Sequence, residues 1–529
     1  MSAPPELSGT GPAHREPATA DDDAPWQRLD VRTVAVTAVV FTGIAVLGGV
    51  PTTIGVGSAT SVGTALAWVL PGAGLLIGVA TLTDYVRWRR TRYRVTATHV
   101  EVRTGVLFTS RLRLARERIR AVDLSAHILL RWLGLVRLAV GTGEQGGGGA
   151  ASQTLVLNPV PRGEGERLQE MLLDRDVAGS DSRDARRLAT WRARWVWYAP
   201  LSLWTMGIAA VLIGVAFQVT DWFGRGDLIV RVVLDLAATH GWGRVIAVGL
   251  LLVLVVAAVT AIAFQLEAWW DYRLDRERGG MLRVRRGLLT SRSVSLEEDR
   301  VRGVDMVEPL GGRLAGAARV QVVATGLGSQ AEAQTGLSTL LPLAPRAVAQ
   351  QIVREIIGPP AHEVSLHPHP RGALIRRLRW AGWIILALVL GWVGLFALGP
   401  VPVWALAGAA VLVVVLIVAS LRHAYDAASN LGHALTPAVL ASRRGSIRRS
   451  TVVLHREGII GWQVRQSIFQ RRLGLATLVA VTAAGRGRYP VVDGSVAQIQ
   501  ELADQEMVGL LAPRGEGSGA GAPDGGAPG

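Results

Sequence analysis

GVLFTSRLRLARERIRAVDLSAHILLRWLGLVRL, running from Gly105 to Leu138, occurs three times in this chain. It returns as GLLTSRSVSLEEDRVRGVDMVEPLGGRLAGAARV from Gly287 to Val320. It returns again as GSIRRSTVVLHREGIIGWQVRQSIFQRRLGLATL from Gly445 to Leu478. No copy needs a gap. Gly105, Gly287 and Gly445 align, then Leu114, Leu296 and Leu454, then Glu117, Asp299 and Glu457. Ile119, Val301 and Ile459 follow, and Gly134, Gly316 and Gly474 close the pattern. The spacing far exceeds that of solenoid repeats, so each copy reads as part of a whole small domain.

Outward from each copy the pattern is constant. Two apolar spans precede it: about 33–50 and 62–82, then 196–219 and 244–264, then 380–398 and 403–421. Each is close to the roughly 20 residues that cross a bilayer as a helix. One such span could be a buried core helix, but six in three pairs read as membrane hairpins. The spans carry almost no ionisable residues, which argues against an ion or proton path. Pro71 and the glycines around it predict close packing or a kink in the second span.

Orientation follows from arginine. Arg87, Arg89, Arg90, Arg92 and Arg94 follow the second span, and Arg183, Arg186, Arg187, Arg192 and Arg194 precede the third. Arg371, Arg376, Arg377 and Arg379 precede the fifth. The positive-inside rule then puts both termini and all three modules in the cytoplasm of a multi-pass cell-membrane protein. Trp191, Trp195, Trp197, Trp269, Trp270, Trp380 and Trp383 stand at span ends as interfacial anchors.

After each hairpin, alternating apolar residues such as Tyr93–Val95, Val100–Val102 and Leu112–Leu114 predict strands. A helical pattern closes each module: GERLQEMLLD, RAVAQQIVREIIG and VAQIQELADQEM, each a few residues after Pro161, Pro345 or Pro490. The expected fold is therefore six transmembrane helices in three pairs, each pair followed by an antiparallel β-barrel capped by a C-terminal helix. The expected boundaries are a lead at 1–30, hairpins at 31–83, 195–264 and 378–421, and modules at 84–175, 265–358 and 422–508. Linkers are expected at 176–194 and 359–377, and a Gly/Pro-rich tail at 509–529.

These residues resemble a known group, the bacterial pleckstrin-homology-like domain of the second type. The resemblance rests on YRV at Tyr93–Val95, RTGVLF at Arg103–Phe108 and RIRAVD at Arg118–Asp123. The second copy has YRL at Tyr272–Leu274, RRGLLT at Arg285–Thr290 and RVRGVD at Arg300–Asp305. WLGLVRL at Trp132–Leu138 and RLGLATL at Arg472–Leu478 are similar. The whole arrangement is similar to the YdbT-like group of membrane proteins. The resemblance implies PH-like barrels with a C-terminal helix and, by extension, a role in envelope maintenance or stress response. The third copy departs from the pattern, with AYDAASNLGHALTPAVL at its entry and Gly461–Trp462–Gln463 at the Ala/Gly–Val–Asp step.

Composition narrows the chemistry. The chain has 529 residues, half of them hydrophobic, a net charge of +15 and no cysteine. Disulfides, thiolate metal sites and cysteine nucleophiles are excluded. Every basic residue is arginine, so there is no P-loop lysine. GTGEQG at Gly141–Gly146 matches the dinucleotide fingerprint by letter, but glycines and a strand-like TLVLN follow it where a helix is required. His362, Glu363, His367 and His369 lie in a proline-rich link and lack zinc-helix spacing. Glu297–Glu298 fits a charged turn better than an acid–base pair, and no nucleophile elbow is present. No basic stripe interleaves with stacking aromatics, so nucleic acid is not expected.

The expected function is a membrane scaffold presenting three cytoplasmic PH-like modules to a protein partner or to membrane lipid, with no enzymatic activity and no cofactor. The expected partner is another membrane protein, such as a smaller PH-like one, meeting module faces or sheet edges. Arg87, Arg89, Arg90 and Arg92 are the candidate residues for anionic lipid headgroups, each contributing about 1 kcal/mol near an anionic surface. The alternative is a transporter or lipid-handling protein that uses the six-helix bundle.

Overall fold

In the computed structural model, the residues described are 25–511 except 97, 106–108, 117–118, 120, 142–154, 174–185, 224, 278–279, 326–337, 359–364 and 398–401. The chain forms two compact units. One gathers the residues up to Ile119 with Ile128–Val140 and Thr154–Arg175, and the other gathers Arg120–His127 and everything from Asp176.

The first unit opens with β1 (Gln27–Arg28), then the helices α1 (Arg32–Ala59) and α2 (Val62–Arg90). Strands β2 (Arg92–Val95), β3 (His99–Gly105) and β4 (Thr109–Ala115) follow. The strand β5 (Ala121–Ala126) comes next along the chain and belongs to the second unit. The first unit resumes with α3 (Ile128–Trp132), β6 (Leu135–Gly141), β7 (Leu155–Pro161) and α4 (Arg162–Leu173). The helix pair packs closely through small residues: a Cβ on Gly49 would stand 3.1 Å from a methyl of Val69. Both helices carry a proline without ending there, Pro51 and Pro71. β1, β2, β3 and β4 form one antiparallel sheet in that order.

The second unit continues with β8 (Arg186–Thr190), α5 (Leu203–Trp222), α6 (Leu228–His240) and α7 (Trp242–Trp269). Then come β9 (Arg273–Glu277), β10 (Met281–Arg286), β11 (Ser291–Glu297) and β12 (Val301–Pro309). They lead to α8 (Leu310–Leu314), β13 (Ala317–Ala324), β14 (Thr339–Pro345) and α9 (Arg346–Ile357). The last third holds β15 (His367–Pro368), the helices α10 (Arg371–Ala397) and α11 (Val403–Ser429), β16 (Gly432–Leu435), β17 (Val439–Arg444) and β18 (Arg448–His455). It ends with β19 (Gly461–Arg465), α12 (Ile468–Arg471), β20 (Leu475–Val481), β21 (Arg488–Ser495) and α13 (Val496–Leu511). Among the described residues six helices are long and apolar enough to cross a membrane: α1, α2, α5, α7, α10 and α11. The helix α6 lies between α5 and α7 in the stretch 220–243, which mixes Arg225 and Arg231 with Asp221, Asp227 and Asp235.

The strands do not close into a barrel within each repeat, as the sequence reading expected. They pair across repeats. β11 of the second copy lies antiparallel to β5 of the first, with Val294 opposite Asp123. β18 of the third copy lies against β12 of the second, from Gly303 opposite Leu454 to Pro309 opposite Arg448. One seven-stranded sheet therefore runs β14-β13-β12-β18-β17-β16-β15. Strand alternation sets which face a residue occupies but leaves the neighbouring strand open, which is why periodicity alone suggests separate barrels.

A second difference concerns the stretches expected as linkers, 176–194 and 359–377. Each supplies a strand, β8 against β9 and β15 against β16, just as β1 lies against β2. Each helix hairpin is thus inserted between two neighbouring strands of one sheet.

The aligned glycines explain themselves. Gly134, Gly316 and Gly474 all have φ between 64° and 70°. This left-handed region costs glycine nothing and other residues more. Gly287 and Gly445 sit at the β10–β11 and β17–β18 turns with φ of 110° and 96°. A Cβ there would run into the carbonyl oxygens of Thr290 and Arg448.

The cores also cross repeats. One joins Val304, Val320, Val322, Leu341 and Ile352 of the second copy to Val439, Ala441 and Val453 of the third. A smaller one sets Val323 of β13 among Leu440, Leu454, Leu478, Val491 and Ile499. Each fully buried Val, Leu or Ile contributes about 1.5–3 kcal/mol. The second and third modules are therefore stabilised jointly.

Candidate functional site: closed and open sheet edges

The β12–β18 junction shows what the repeat does when its edge is filled. Glu308 and Arg449 stand directly opposite each other. Arg449 donates from Nε and Nη2 to both oxygens of Glu308, each at 2.7 Å, and from Nη1 to Asn430 at 3.1 Å. Arg346 of α9 approaches the same carboxylate at 3.5 Å. Glu308 is almost completely buried, so its charge depends on these partners. One residue row away, the Ser450 hydroxyl donates to Asp305 at 2.5 Å and Arg486 reaches the other oxygen at 3.3 Å. Gly303 lets the strands meet, because a Cβ there would run into the Val453 carbonyl. Around this ladder Leu310 donates its amide to Ile447, and Arg313 binds Asp426 at 2.8 Å.

β19 is the same repeat element in the third copy, with no strand on its outer side among the described residues. It is the end strand of the sheet β19-β20-β21. Gly461 occupies the position of Gly303, and nothing lies within 4 Å of its Cβ site. Gln463 stands for Asp305 and Gln466 for Glu308, so the two buried acids are replaced by neutral amides. Val464, at the position of the buried Met306, is 56% exposed. Ile460, Ile468 and Phe469 beside it are also exposed.

In the first unit, β4 is likewise the end strand of its sheet, and it corresponds to β11 and β18. Arg111 and Arg113 on it are exposed. Where β18 carries Arg449, β4 carries Thr109 and β11 carries Ser291, which lies opposite Ala126 of β5, so an uncharged residue here fits a β5–β11-type contact. The sequence signal for the difference was present at Gly461–Trp462–Gln463. Its meaning, an unfilled edge, required the strand order.

The four arginines singled out for headgroups do not converge. Arg87, Arg89 and Arg90 occupy the last turn of α2, and Arg92 opens β2; all four are exposed. Residues advance about 100° around a helix, so Arg89 faces away from Arg87 and Arg90. Arg87 is also paired at 3.1 Å with Asp84, whose carboxylate accepts from the Thr37 hydroxyl at 2.8 Å.

Of the histidines in the third link, His362 and Glu363 lie outside the described residues. His369 meets His433 of β16, Nε2 to Nδ1 at 2.9 Å, and His367 lies across the His433 ring. Burial, with His369 and His367 nearby, pushes the His433 pKa down to about 4. Among the described residues no group of three or more His, Cys, Asp or Glu side chains is placed to hold a metal. GTGEQG lies outside the described residues beyond Gly141. Glu297 and Glu298 flank the start of a short 3-10 turn and bind Arg300 at 2.9 Å and Arg276 at 2.6 Å, the charged turn expected for them.

The geometry defines a class of protein: three repeats of a helix hairpin inserted in a sheet, with strands of successive repeats pairing at β5–β11 and β12–β18. The model of the bacterial PH domain family matches three times, over residues 41–176, 201–359 and 379–506. These matches cover most of the chain, which belongs to the bacterial PH domain family. Neither the curated proteins nor the solved structures contain a match.

Proposed function

We propose that the chain is a multi-pass membrane scaffold whose terminal sheet edges dock a related PH-like module of another membrane protein. The modules and termini face the cytoplasm in this reading, as the arginine distribution suggests. The observation that carries it is Gly461. Its counterpart Gly303 is needed because β18 packs against it, whereas Gly461 keeps the same opening with nothing in it. Main-chain bonds along an added strand supply affinity, and the side chains on either edge select the partner.

The register of the filled junctions carries over. An incoming strand of the β4, β11 or β18 type would set its third-module-like leucine opposite Gly461, and a neutral residue opposite Gln466. An arginine there would find no carboxylate. A small membrane protein with a single module, able to offer both edge types, fits this requirement. On this reading the resemblance of most of residues 30–508 to the YdbT-like group would extend to a role in envelope maintenance or stress response. The reading involves no catalytic step.

A photo-crosslinker at Val464 in native membranes tests the proposal. The expected product joins Val464 to the β4-type strand of a PH-like module, identified by mass spectrometry. Crosslinks to lipid alone, or none at all, would sink it.

A further inference from the structure

The sheet that crosses from the second to the third module also makes a cavity that neither could make alone. Its floor is three neighbouring strands: Met306 on β12, Thr451 and Val453 on β18, and Ala441 and Arg443 on β17. Met306, Thr451 and Arg443 lie in one row, since Thr451 is the register partner of both others. One wall is α9, through Arg346, Gln350, Val353 and Arg354, and Leu366 closes the remaining side. The volume is about 250 Å³. That is just below the ~300–1,000 Å³ usual for small-molecule sites.

Three features of this cavity point the same way. It is lined by three guanidinium groups and no carboxylate. The nearest acid of the junction, Glu308, is already held by both nitrogens of Arg449. Second, two donors at the base are buried and unpartnered: Nε of Arg443 and the hydroxyl of Thr451. An unpaired buried donor is costly, the more so when charged, so such atoms mark a place where an acceptor belongs. Burial and the neighbouring Arg449 and Arg346 depress the Arg443 pKa, with Glu308 only partly opposing them, as expected for a cation short of counter-charge. Third, apart from Gln350 the rest of the lining is apolar: Met306, Val353, Leu366, Ala441 and Val453. A bare hydrated ion would gain nothing from these side chains, whereas an alkyl segment would.

We propose that this cavity binds an anionic amphiphile, its carboxylate or phosphate head taken by Arg443 and Thr451 and its apolar body laid along Val353, Leu366 and Val453. Arg346 and Arg354 stand exposed at the mouth and attract the anion. The ligand then touches β12, β17, β18 and α9 together, so binding stiffens the seam between the second and third modules. The proposal is independent of edge docking, since β19 contributes nothing to the cavity.

Isothermal titration of the full chain in nanodiscs of zwitterionic lipid, corrected against empty discs, tests it with octyl phosphate, octanoate and inorganic phosphate as probes. The expected result is saturable one-site binding of octyl phosphate or octanoate, with inorganic phosphate at least about tenfold weaker. Arg443→Gln should weaken the amphiphile about tenfold or more, and the near-isosteric Thr451→Val by about fivefold. Thr451→Val keeps the test valid if the Arg443 variant folds poorly. Absence of saturable binding by the wild-type chain would overturn the proposal, as would unchanged affinity in folded variants. Equal binding of inorganic phosphate would also overturn it, leaving a bare oxyanion site.

Discussion

β12 and β19 are one element of the repeat under two conditions. β12 has strands on both sides, and it carries a glycine at the contact, two buried acids and a buried methionine. β19 has a strand on one side, and it keeps the glycine but replaces the acids with glutamines and the methionine with an exposed valine. The ion pair at Glu308 is thus tied to the β12–β18 ladder and has no counterpart at β19. A buried acid without its arginine would be costly, and a neutral amide can stand in water or meet another neutral residue. The pair belongs to the β12–β18 junction in particular, since the equally closed β5–β11 ladder sets Ser291 opposite Ala126 at the same positions.

That comparison can be broken most forcefully at Arg449. Arg449→Met leaves Glu308 buried with only the more distant Arg346, and should cost about 3–5 kcal/mol. Denaturant titration of the solubilised chain measures it, and the double change with Glu308→Gln should recover much of the loss. A loss below about 1 kcal/mol would mean that the pair is not structural.

A pH titration probes the same sheet two strands away from the junction. The folded-state pKa of His433 is lowered to about 4, below the ordinary 6.5. An unfolded chain therefore takes up a proton that the folded chain refuses between those values, and stability falls as pH drops from about 6.5 to 4. The contribution is on the order of 3 kcal/mol and is fully present above about pH 6.5. His433→Gln should flatten this part of the stability–pH curve, and an unchanged slope would reassign it elsewhere.

Smaller effects sharpen the contrast between edges. Gly303→Ala should cost about 1–3 kcal/mol, because the added methyl meets the Val453 carbonyl in a packed ladder. Gly461→Ala, made in the same repeat position, should change the stability of the isolated chain by no more than about 0.5 kcal/mol. The same variant should nevertheless reduce crosslinking from Val464 if a strand docks there. Thermal unfolding and crosslink yield, measured on one preparation, separate the two effects.

Much of this arrangement was legible in residues. The glycines at 134, 316 and 474 align across the three copies, and all three have positive φ. Leu114, Leu296 and Leu454 align as well, and all three are buried. The six apolar spans became the six long helices, with α2 continuing to Arg90 and α10 beginning at Arg371. The strand partners were not legible. Val304 and Val453 alternate correctly within their own strands, and nothing in that alternation says that they face each other across two membrane-length helices. β8 and β15 were hidden for a related reason, since each is separated from its partner by a whole hairpin. The cavity at Arg443 was beyond reach as well, because its lining comes from five elements.

The cross-repeat ladder also has a consequence in time. Val304 pairs with Val453, so β12 leaves the ribosome with its partner still 149 residues away (453 − 304). At roughly 5–20 residues per second, that interval lasts about 7–30 s. Throughout it, β12 is an open edge whose Asp305 and Glu308 lack their β18 partners Ser450 and Arg449, while α10 and α11 are still being synthesised. The first and second repeats each gain a strand partner only from the repeat that follows. A nascent chain halted after the second module would carry an unfinished sheet, not a finished domain. Two ribosomes translating the same message would expose matching edges side by side, which makes mispairing between neighbouring nascent chains the characteristic hazard of this architecture.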